Sequence, residues 1–139
     1  MKSRAVQGVA ALALAGASVL GVTSTASADP NVGNLSYGDS GEGVRCAQHD
    51  LNYVVAHHNY LSGRGEPPYS RIDEDGDWGR QTDAMVRWFQ KVEGLDADGI
   101  IGKMTGSYLL SAGDESYNGD MWNGPGYCYW KLPGRFVGS

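Results

Sequence analysis

The sequence predicts an all-α domain, a bundle of three helices with two glycine turns of one design and an irregular C-terminal wrap. Three observations carry that expectation. Apolar residues recur at three- and four-residue steps over Val44 to Val55 and again over Met85 to Val92. The decapeptide DEDGDWGRQT, Asp73 to Thr82, returns in part as DADGIIGKMT, Asp96 to Thr105. Beyond Gly113 the helical period stops, yet the chain stays rich in aromatic residues.

The first 28 residues read as a removable signal and not as part of the fold. Lys2 and Arg4 precede an apolar run from Val6 to Val22, and Ala26-Ser-Ala28 supplies a small-residue cleavage pattern. A membrane anchor is the competing reading, but the run is rich in Gly and Ala and falls short of about 20 strongly apolar residues. The mature chain then runs from Asp29 to Ser139, 111 residues, which suits one small domain. Losing Lys2 and Arg4 leaves nine basic residues against sixteen acidic ones, a formal charge of −7. That balance disfavours nucleic acid as a partner and leaves neutral sugars and short peptides open.

Residues 29–36 form a short polar arm, and YGDSGEG, Tyr37 to Gly43, is a loop leading into a helix. Val44, Ala47, Leu51, Val54 and Val55 give the first helix its apolar face. SGRGEPPYS, Ser62 to Ser70, breaks it with glycines and prolines. Met85, Val86, Phe89 and Val92 give the second helix its face, and Gly94 stands where a helix stops. A third, shorter helix carries Tyr108, Leu109 and Ala112 on one side. The domain so predicted covers 37–112. The extension, 113–139, holds Tyr117, Trp122, Tyr127, Tyr129, Trp130 and Phe136, too many aromatics for a disordered tail. Two cysteines in an exported chain point to a Cys46–Cys128 disulfide, which would pin the extension to the first helix.

The two decapeptides share Asp73/Asp96, Asp75/Asp98, Gly76/Gly99, Gly79/Gly102 and Thr82/Thr105. A calcium loop of the EF-hand type needs glycine at its sixth position and glutamate at its twelfth. Trp78 and Ala84 stand there in the first copy, Ile101 and Ser107 in the second, so no metal is expected. What is kept suits a turn that ends in a helix. Asp75 and Asp98 accept nearby backbone N–H groups, and Gly76 and Gly99 allow a left-handed turn. Gly79 and Gly102 admit a tight helix entry, with Thr82 and Thr105 either capping the helix or reaching back from its first turn. Trp78 and Ile101, between the glycines, are plugs for a core.

YGDSGEGVRCAQHDLNYV, DGDWGRQTDAMVRWFQKVEGL and DADGIIGKMTGSYLL together resemble the bacterial peptidoglycan-binding domain family of the PGBD type. Asp75-Gly76, Trp78-Gly79, Thr82, Val86, Phe89-Gln90, Gly94-Leu95, Asp98-Gly99, Gly102 and Thr105 fall in register with its pattern over Leu35 to Leu110. The chain departs from it in Trp78 for phenylalanine, in Met85 for alanine, in Cys46 for leucine, and in a longer link between the first two helices. The resemblance implies a three-helix PGBD-like bundle and a secreted or cell-wall-associated module, without cofactor, that holds the glycan or stem peptide of peptidoglycan.

A ligand of that kind needs aromatic faces and a few polar groups. Tyr53, Trp78, Arg80, Arg87 and Tyr108 are the candidates, although Trp78 is expected in the core first, with one edge facing the groove, and the arginines could be solvated surface. A monomer without catalytic residues is expected. The rival is a small cell-wall hydrolase. Its zinc form would have to use His49, His57 and His58, which lack the H-E-x-x-H pattern. A thiol form would pair Cys46 with His49, and a glycosidase would draw on Glu66, Asp73, Asp75 and Asp77. A third class, a protein-binding module, would use Trp122 and Trp130.

Overall fold

The computed structural model describes residues 32–58 and 63–136. The stretch read as a secretion signal, residues 1–28, lies outside the described residues, as do the first residues of the arm and residues 137–139. Glu42–His57 forms α1, Arg80–Val92 forms α2 and Lys103–Ala112 forms α3. A one-turn helix, α4 (Glu115–Asn118), follows, then a short antiparallel hairpin of β1 (Gly119–Asp120) and β2 (Gly124–Pro125) and a 3-10 turn at Cys128–Trp130. The architecture is the all-α one that the periodicity predicts. The wrap is more regular than its composition suggests, because elements of two to four residues are too short to leave a period.

α1 packs against both α2 and α3. Val44, Leu51 and Val54 from α1 meet Met85, Val86 and Phe89 from α2 and Leu109 and Leu110 from α3 in one fully buried cluster. All but Leu110 are positions that the three- and four-residue spacing selects, since residues so spaced share one helix face; on α3 Leu110 is buried and the expected Tyr108 only half-buried. Ile72, Trp78 and Ile101 enter the same cluster from the connections.

The approach to α1 is stitched to both turns. Leu35 and Ile101 exchange backbone hydrogen bonds of 3.0 and 2.8 Å. Gly38 N–H donates to Trp78 O at 3.1 Å, and Trp78 N–H donates to Asp39 O at 3.0 Å. One short segment, turning at Tyr37–Gly38, therefore clamps the plug residue of each copy.

The extension closes over α1 and α3. Cys128 is bonded to Cys46 with a Cα–Cα distance of 5.6 Å, and Leu132 is buried in the core cluster. Tyr129 and Phe136 pack against that cluster, whereas Trp122 stands 89% exposed on the hairpin. Contact with α3 is close enough to require a glycine. A Cβ on Gly106 would fall 1.6 Å from Pro133 O, so main chain must move to admit one. Gly106→Ala is therefore expected to cost about 3 kcal/mol, the upper end of the usual overpacking range. Gly79→Ala, where a Cβ meets nothing within 4 Å, should stay within about 1 kcal/mol. Urea denaturation of the two variants checks the contrast.

Candidate functional site

The two Asp-Gly turns are built alike down to single atoms. Gly76 and Gly99 have φ of 78° and 74°, the left-handed conformation that a Cβ disfavours. Asp75 Oδ1 accepts the Asp77 N–H at 3.0 Å, and Asp98 Oδ1 accepts the Ile100 N–H at 2.9 Å. These backbone hydrogen bonds lead the causes that hold both carboxyls below their ordinary range. Gly79 and Gly102 are the N-caps of α2 and α3. Thr82 and Thr105 thus lie in the first helical turn, not at the cap.

A buried glutamine from the preceding helix reads each turn. Gln48 Nε2 donates toward Asp75 Oδ1, Asp77 O and Thr82 Oγ1, all at 3.0 Å, while its Oε1 accepts the Gly76 N–H at 2.8 Å. Gln90 repeats the set with Asp98 Oδ1 at 3.0 Å, Ile100 O at 2.9 Å, Thr105 Oγ1 at 3.1 Å and the Gly99 N–H at 3.0 Å. One amide thereby satisfies groups from the start, middle and end of each turn. A second repeat in the sequence marks these residues: Val44-Arg-Cys-Ala-Gln48 and Val86-Arg-Trp-Phe-Gln90 both read V-R-x-x-Q. The decapeptide alone conceals it.

A cleft opens beside each turn. The first, about 160 Å³, is lined by Asp73, Asp75, Asp77, Arg80 and Gln81. The second, about 530 Å³, lies between Asn34, Leu95, Asp96, Ile100, Lys103 and Met104. Of the five residues proposed as ligand contacts from the sequence, Arg80 alone lines either. Trp78 is 3% exposed, so its ring belongs to the core and offers no face to a ligand. Arg87 is spent on structure: its Nε donates to Asp83 Oδ2 and its Nη1 to Ala97 O, both at 2.9 Å, and its guanidinium covers Gly99. Tyr53 is half-buried and stacked on His57 at 4.1 Å, and Tyr108 is half-buried against the core. The five candidates do not converge on one surface. Asn34, Ile100, Lys103 and Met104 were not marked by sequence because their cleft arises only when the arm meets the second turn.

The histidines serve different partners. His49 Nδ1 faces Glu74 Oε2 and its Nε2 faces Asp114 Oδ2, each at 3.0 Å. His57 bonds to Tyr53 O and His58 to Ala112 O. Among the described residues no three His, Cys, Asp or Glu side chains are grouped as a metal would require. Cys46, being in the disulfide, is not a thiol.

Next to His49, Asp50 is fully buried and receives Asn118 Nδ2 on both carboxylate oxygens at 3.0 Å and the Asp114 N–H at 3.1 Å. Burial pushes its carboxyl up to about 7, against the pull of Asn118, the Asp114 amide and the His49 charge. Burial draws the His49 imidazolium down, but its bonds to Glu74 and Asp114 outweigh this, and the net shift is upward. For Glu74 and Asp114 burial works upward and hydrogen bonds prevail, leaving both below their ordinary values.

A raised group stabilises the fold below its unfolded pKa and loses that contribution as pH rises through the folded value. Asp50 therefore loses its share between 3.8 and about 7, and His49 continues the loss above 6.5. Glu74 and Asp114 act in the opposite sense, losing theirs as pH falls below 4.5 and 3.8. Thermal stability should thus peak at about pH 4, where the two limbs cross, and decline toward about pH 8. Asp50→Asn should flatten the declining limb, as melting curves across that range would show.

The sequence model of one family, described as "Putative peptidoglycan binding domain", matches residues 40–109. The chain belongs to this family. The match takes in α1, both Asp-Gly turns, α2 and most of α3, and it ends before the extension. Membership makes peptidoglycan the expected partner. No similar protein was found among curated ones.

Proposed function

We propose that the chain is a secreted, monomeric and non-catalytic module that holds cell-wall peptidoglycan by noncovalent contacts. The family match over residues 40–109 carries this reading. The disulfide supports an oxidising location outside the cytoplasm or at the wall. The cleft beside the second turn is the best place for the ligand. At about 530 Å³ it falls within the usual range for small-molecule sites, about 300–1,000 Å³. It sets the apolar Leu95, Ile100 and Met104 beside Asn34, Asp96 and Lys103, a mixture suited to a sugar or short peptide. A binding role is further supported by the His49, His57 and His58 pairings, which spend the three histidines on separate structural contacts.

Sedimentation of the mature protein with purified insoluble peptidoglycan tests the reading. The protein should pellet with the polymer and release no soluble muropeptides. Released fragments would make it a hydrolase, and protein left in the supernatant would overturn peptidoglycan as its partner.

A further inference from the structure

A third cleft, about 280 Å³, lies where α1 and the start of the first turn meet the C-terminal extension. It is lined by Glu42, Arg45, His49, Glu74, Tyr117 and Tyr127, with the Cys46–Cys128 disulfide alongside. Tyr117 and Tyr127 both belong to the extension, beyond the stretch that the family model matches. We infer that this cleft is a carbohydrate subsite that takes one or two uncharged N-acetylated pyranose rings. The choice of an N-acetylated sugar rests on the peptidoglycan reading; the choice of a neutral ring rests on the cleft itself.

Five observations point that way. The two tyrosines are 48% and 53% exposed, so each presents apolar ring area beside a polar edge, which suits the C–H face of a pyranose. Both rings are held in place. Tyr117 lies against the His49 ring at 4.3 Å, and the Tyr127 hydroxyl donates to Glu42 Oε1 at 3.2 Å, with Lys131 Nζ 5.3 Å from its centroid. The lining sets two acids, Glu42 and Glu74, against Arg45 and His49, giving no net preference for an anion or a cation. Arg45 meets Glu42 only at 3.8 Å and is half exposed, so its guanidinium retains donors for a hydroxyl or acetamido oxygen. The disulfide joins α1 to the extension and fixes the cleft walls relative to one another, which lowers the ordering cost of binding.

Calorimetric titration of the intact mature protein with a soluble β-1,4-linked N-acetylglucosamine tetramer tests the assignment. The parent should bind, and Tyr117→Ala and Tyr127→Ala should each lose about tenfold in affinity. Arg45→Gln should lose less. Tyr127→Phe, which keeps the ring but releases it from Glu42, should lose less than Tyr127→Ala, which separates stacking from any effect on folding. Trp122→Ala, on the hairpin and away from the cleft, should bind as the parent. No binding by the parent, or binding that ignores both tyrosines, overturns the assignment. The sedimentation assay keeps the two readings apart. Retention on insoluble peptidoglycan without tetramer binding sinks the subsite and leaves the module's function standing. Tetramer binding without retention does the reverse.

Discussion

Gln48→Ala is expected to lower the unfolding free energy by about 4 kcal/mol, and Gln90→Ala by a similar amount. Each buried polar group left without its partner costs about 1–3 kcal/mol. Removing the Gln48 amide strands the Gly76 N–H and withdraws a donor from Asp77 O and Thr82 Oγ1, and it leaves a cavity where the side chain was fully buried. Glutamate in either position is diagnostic. It keeps the volume and the acceptor for the glycine N–H but sets a second carboxylate against Asp75 or Asp98. Gln48→Glu and Gln90→Glu should therefore be destabilised at neutral pH and recover in part as the pH is lowered. The two glutamines have no partner in common, so the double alanine variant should lose roughly the sum. Urea denaturation checks all of these. A loss below about 1 kcal/mol for either alanine would show that the turns hold themselves without the amide.

Removing the disulfide by Cys46→Ser with Cys128→Ser should cost about 4.5 kcal/mol. The bridge spans a sequence separation of 82, and closing a loop of that length restricts the unfolded chain by about that much. The loss should be uneven across the molecule. The turns and the packing of α1 on α2 do not depend on the bridge, whereas Tyr117, Tyr127 and the 3-10 turn at Cys128–Trp130 stand on a segment that it ties to α1. Amide exchange should consequently rise over 115–131 and stay low over 85–92. Uniform exchange, or an unchanged denaturation midpoint, would show that Leu132 and Pro133 hold the extension unaided.

Much of the fold was legible because its signals are local. Helix faces follow from spacing, and the left-handed Gly76 and Gly99 follow from Asp-Gly pairs written twice. Trp78 and Ile101 share a position in the repeat, and both prove to be core, which the repeat itself foretells. The candidate site was far less legible. Trp78 and Arg87 look like ligand contacts on a list of residue types, but burial removes one and the Asp83 and Ala97 bonds occupy the other. Gln48 lies 27 residues from Asp75, a separation at which pairing depends on how α1 crosses the turn. Asn34 reaches the second cleft only through the Leu35–Ile101 pairing, and Tyr117 meets His49 only because the extension folds back. Each depends on a long-range contact that no short window of sequence contains.

The proposed function places intact peptidoglycan in the cleft beside the second turn. Amide chemical shifts of the labelled mature protein, followed during titration with a soluble disaccharide-peptide fragment, test it most directly. Saturable shifts are expected around Asn34 and over 94–105, with little change at the buried Trp78 and the fragment recovered uncleaved. Shifts that leave 94–105 untouched, or a fragment recovered as cleaved products, would contradict it.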